Sequence, residues 1–194
     1  PIILYFGVSG ISTKLMTLIK DFIAVFNKPK VAEIQKISVP RYTLNYEQAR
    51  DIGILFSHSN DDNPKAINYF VKLLQKDNKH IKALAYFEEK HSNPYDFRFD
   101  FFTAKEVDAK GKINSLQVDE FMKKNFDYLY CINTTEFAAF DYIMQHSQAK
   151  CRIGKYFPHH EAGFELMVHV GDNTNAVDLI LQMLHYTKTL IIQN

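Results

Sequence analysis

The sequence predicts an α/β three-layer sandwich: one open, mostly parallel sheet of five or six strands with helices on both faces. Three observations lead there. Short apolar runs without polar alternation recur between residues 51 and 170, as strands buried on both faces require. Stretches with apolar residues at helical spacing lie between those runs. The runs and the stretches alternate along the chain, as parallel strands joined by right-handed crossovers do.

The elements follow in order. In "TKLMTLIKDFIAVFNKPK", Leu15, Met16, Ile19, Phe22, Ile23 and Phe26 form one stripe opposite Lys14, Thr17, Asp21 and Ala24. That is an amphipathic helix, ended by Pro29. "VAEIQKI" adds one or two turns before Pro40. "DIGILFS" is the first buried strand. Asn63 then Pro64 reads as an N-cap followed by an N1 proline, and Ala66, Ile67, Phe70, Val71 and Leu74 line one face of the helix they start. "IKALAYF" and the weaker "FRFDFFT" are strands two and three, and "LQVDEFMKKN" after Ser115 is a short helix. "FDYLYCI" is strand four. "EFAAFDYIMQH" is a helix with Phe137, Phe140, Ile143 and Met144 inward. "AKCRIGKY" and "FELMVHV" are strands five and six, before a last helix in "NAVDLILQMLHYTKTLI". Together they describe a Rossmann-like domain over residues 46–194, preceded by a helical segment over residues 1–45.

Composition fits one soluble domain with an appendage: 194 residues, 46% hydrophobic and 23% charged. Sixteen Phe and eleven Tyr with no Trp point to an aromatic core. The net charge of +1 creates no field to recruit nucleic acid. Charge is uneven, however. Residues 1–50 hold seven Lys/Arg against three Asp/Glu, and residues 51–194 hold sixteen against nineteen. The basic helix over residues 14–30 suits packing on its own domain or a sister subunit, or lying on a membrane surface. Cys131 and Cys151 sit in apolar strands without a second ligand at metal spacing, and read as buried thiols of a reducing compartment. A disulfide between neighbouring strands is the oxidising alternative. The opening "PIILYFGVSGIS" lacks a basic n-region and falls short of the ~20 residues of a membrane span. A cytoplasmic location is expected, with the inner membrane face as a peripheral contact.

Open α/β sheets bind ligands beyond the carboxyl ends of the strands, where strand order reverses. In a Rossmann-like order the central strands are one and four. Their exits offer Ser57, His58, Asp61 and Asp62, and Asn133, Thr134 and Glu136. These are the candidate ligand-binding residues. Against them, Ser, Thr, Asn and Asp also gather at helix starts as caps, a role open to Asn63 and to Thr134 or Thr135. Neither loop contains glycine, so backbone cannot close on phosphate as in the dinucleotide fingerprint or the P-loop. No cofactor is expected.

Other chemistries find less support. His159, His160, Glu161, Glu165 and His169 lack helical metal spacing, and no metal site is expected. "GVSG" precedes a helix, which is the wrong context for a serine nucleophile, and no catalytic residue is assigned. No RNP motif, zinc finger or basic stripe marks nucleic-acid binding.

The runs "DIGILFSHSNDDNPKAINYFVKLL", "FDFFTAKEV", "FDYLYCIN", "SQAKCRIGKY" and "FELMVHV" resemble an uncharacterised family of small Bacteroidota proteins, a domain of unknown function. Relative to the family pattern, Ser57 and "CIN" stand where acidic residues are common, which weakens any required carboxylate at either strand end. "FDYLYCIN…SQAKCRIGKY" is also similar to the N-terminal half of heptosyltransferase-like GT-B glycosyltransferases. That likeness implies a shared fold. Those enzymes hold the donor nucleotide mainly with a second half, for which 194 residues leave no room. The expectation is a non-catalytic domain working through an unknown protein partner, a second copy of itself, or membrane contact. The rival is a nucleotide or sugar-nucleotide binder using the two polar loops.

Overall fold

A computed structural model describes residues 41–42, 44–58, 63–89, 95–108, 111–171 and 174–190. The helix expected over residues 14–30 and the candidates Asp61 and Asp62 lie outside the described residues, as does the side chain of Asn63.

Six strands form one sheet, β1 (Asp51–Ser57), β2 (His80–Phe87), β3 (Asp100–Thr103), β4 (Tyr128–Ile132), β5 (Cys151–Lys155) and β6 (Leu166–Val168). Their order is β3-β2-β1-β4-β5-β6, and every pairing is parallel. This is the Rossmann-like arrangement, with strand order reversing between β1 and β4. β1 sets the register for both halves, since Leu55 lies beside Leu84 of β2 and Cys131 of β4.

Four α-helices are described: α1 (Asn63–Lys76), α2 (Leu116–Lys123), α3 (Ala138–His146) and α4 (Ala176–Thr189). They cover the sheet in pairs because the strands expose alternate residues to each face. Ile54, Phe56, Tyr128 and Tyr130 meet Ile67, Phe70 and Leu74 of α1 and Leu179, Ile180 and Met183 of α4. Leu55, Leu84, Leu129 and Cys131 meet Phe121 of α2 and Phe140, Ile143 and Met144 of α3. Tyr130 is fully buried with its ring edge-on to Phe70, and its hydroxyl shares a 2.9 Å hydrogen bond with Thr187 of α4. That bond satisfies a phenol that would otherwise be stranded in the core.

Several expected boundaries move. "FRFDFFT" pairs only from Asp100; Phe97 and Phe99 precede the strand and pack against the core from the connecting loop. Strand six keeps only Leu166–Val168. The helix expected from Glu136 starts at Ala138, with Phe137 as its N-cap and no side-chain capping bond. Thr134 and Thr135 therefore do not cap α3.

The two cysteines are buried and belong to opposite faces of the sheet, Cys151 to the α1/α4 side and Cys131 to the α2/α3 side. A disulfide between them is excluded by geometry.

Candidate functional site at the carboxyl edge of the sheet

β1 and β4 are paired through Phe56 and Ile132, which delivers their exits, Ser57 and Asn133, side by side at the point where strand order reverses. Ser57 Oγ donates to Asn133 Oδ1 at 3.1 Å. The Asn133 amide donates onward to the Thr135 carbonyl, folding the polar turn back on itself. From the far side, Lys155 at the end of β5 donates through Nζ to the Thr134 carbonyl at 3.0 Å. The turn is thus tied to the strands on either side of β4. That role replaces the capping role the sequence suggested.

Aromatic rings fill the space around this crossing. Tyr86 at the exit of β2 lies 4.7 Å from the Phe137 ring after β4, and 5.3 Å from Phe102. The Tyr86–Phe137 pair reaches across the top of β1, because β1 separates β2 from β4. His58 turns the other way. Its Nδ1 meets the Tyr95 hydroxyl at 3.1 Å, and its ring packs 4.9 Å from Phe87. Burial pushes the Tyr95 hydroxyl well above the ordinary phenol range, so it stays protonated.

Of the sequence candidates, Ser57, Asn133 and Thr134 come together. His58 joins the aromatic cluster over β1 and β2. Glu136 joins a third group: His160 sits between Asp141 of α3, 3.0 Å from Nδ1, and Glu136, 3.6 Å from Nε2. The hydrogen bond to Asp141, with the neighbouring carboxylates, raises the imidazole pKa. Both ring nitrogens face carboxylates, which leaves no lone pair aimed at a common centre.

The remaining residues of the histidine-rich stretch are spread apart. Glu165 binds Arg152, His159 stands in a left-handed turn at φ 70°, and His169 packs on Tyr156. Among the described residues no group of His, Cys, Asp and Glu converges to hold a metal ion. No helix among them is long and apolar enough to cross a membrane.

Sequence reasoning missed Tyr86, Phe137 and Lys155. The first two read as core aromatics, which they partly are. Lys155 carried a signal: a second cation, after Arg152, at the exit of a buried strand.

No curated protein and no solved structure matches the chain. A family model, a family of unknown function designated DUF6913, matches residues 24–190. That span carries the whole sheet and the polar turn at its carboxyl edge, and the chain belongs to this family of unknown function.

Proposed function

We propose that the domain is non-catalytic and acts through contact with another protein. The observation that carries this reading is the closure of the β1/β4 switch point by the chain's own side chains. A nucleotide bound there in the Rossmann mode needs open backbone beside the first strand. In this protein Ser57 is bonded to Asn133, and Tyr86 and Phe137 close over the top of β1. Opening the crevice would separate a ring pair and break a hydrogen bond, together worth about 1–3 kcal/mol. The stretch over residues 14–30 carries four Lys against one Asp, unlike the net acidic sequence from residue 51 onward.

The test compares three chains in native extracts by size-exclusion chromatography: the full chain, a chain lacking residues 1–40, and a His58→Ala/Asn133→Ala variant. The reading expects a high-mass species that the deletion removes and the double variant retains. A species lost only in the double variant, or never formed, sinks it.

A further inference from the structure

Lys155 is 7% exposed, and the ways it is satisfied differ from those of the other buried cations. Arg152 is neutralised by Glu165 at 2.6 Å. Lys79 donates to two carbonyls, of Tyr46 at 2.5 Å and Ala49 at 2.7 Å, and lies 4.2 Å over the Tyr46 ring. Among the described residues Lys155 has the single Thr134 carbonyl, with the Phe157 ring 5.2 Å away. It forms no ion pair among the described residues. An ammonium carries three donors and no acceptor, and burying one without a counter-charge is unfavourable.

Its position adds to the case. β5 runs parallel to its neighbours, so Lys155 stands at the carboxyl edge, where open α/β sheets take ligands. Glu136 of the turn and Asp141 of α3 pair with His160.

We propose that the Lys155 ammonium, beneath the Asn133–Glu136 turn, is the binding group for a small oxyanion, the phosphoryl or carboxylate group of a ligand. This site is offset by one strand from the closed β1/β4 crossing and is independent of the protein-contact reading.

The test titrates the full chain with inorganic phosphate and, separately, with acetate, at ionic strength held constant with sodium chloride. Backbone amide shifts are followed by NMR, alongside thermal unfolding. The expected result is a saturable shift of the Thr134, Lys155 and Tyr156 amides with one of the two anions. Phosphate alone assigns a phosphoryl group, acetate alone a carboxylate. Lys155→Met should weaken that binding at least about tenfold, equal to ~1.4 kcal/mol. Lys155→Arg should retain it. If Lys155→Met does not fold, the position of the shifting amides in the wild-type chain decides. No saturable response to either anion, a response elsewhere on the molecule, or one that survives in Lys155→Met overturns the assignment.

Discussion

Arg152 and Glu165 form a two-pronged ion pair: Nε donates to Oε2 at 3.0 Å and Nη2 to Oε1 at 2.6 Å. The same carboxylate accepts the Arg152 backbone N–H at 2.8 Å, and Nη1 reaches the Met144 carbonyl in the last turns of α3. One guanidinium thereby holds β5, the approach to β6, and a helix end together. Removing the carboxylate strands a buried charge, so Glu165→Ala should lower stability by about 3 kcal/mol. Arg152→Met/Glu165→Met, which removes both charges, should cost less than the single change. Urea unfolding of the three chains checks the order, and equal losses in both variants would contradict it.

Asp127 supplies an acid-sensitive latch. Burial pushes its carboxyl pKa up, but the Lys150 ammonium at 2.6 Å and the backbone N–H groups of Arg50 and Asp51 outweigh burial, and the net shift is downward. A carboxylate held below its unfolded value stabilises the fold above that value, about 3.9, and the contribution is lost as pH falls through the lower folded value. Stability measured from pH 6 downward should therefore fall less steeply in Asp127→Asn than in wild type. Parallel pH profiles would remove Asp127 from the account.

Gly53 lies in the middle of β1 because nothing larger fits. A Cβ there would stand 2.7 Å from Leu129 Cδ1 and 2.9 Å from Phe126 Cδ2, both on fully buried side chains. Gly53→Ala should destabilise by about 1–3 kcal/mol through overpacking, despite the gain in strand propensity. A neutral or stabilising result in denaturant unfolding would show that Phe126 can yield.

The thiols give a chemical check on the topology. Burial pushes the Cys131 thiol above its ordinary pKa, and Cys151 is fully buried on the other side of the sheet. Neither should react with a thiol-directed reagent in the native state, and both should react in denaturant. Mild oxidation of native protein should produce no intramolecular disulfide. A monomeric product with both thiols blocked would contradict the placement of the two cysteines on opposite faces.

The alternation of buried strands and amphipathic helices was legible because strands covered on both faces, such as "DIGILFS" and "YLYCI", admit almost no polar side chain. Their ends were less so. Phe97 and Phe99 alternate like strand residues yet pack from a loop, since an apolar face does not reveal whether its backbone is paired. Phe137 continues the helical spacing toward Phe140, yet its backbone is extended at φ −150°, ψ 110°. The Ser57–Asn133 contact joins residues 76 positions apart and exists only because β1 and β4 are neighbours. Local pattern named both loops. Only strand order brought their side chains together, and the Tyr86–Phe137 pair above them depends on the same order.

The central claim is that the switch point is occupied by the chain's own side chains. Amide NMR spectra during titration with nucleotides and sugar nucleotides test it most directly. The account predicts that the Ser57, His58 and Asn133 amides keep their positions, with any weak phosphate-dependent change confined to the neighbourhood of Lys155. Saturable movement of Ser57 and Asn133 together, abolished in Asn133→Ala, would show that the crevice opens for a ligand and would contradict the account.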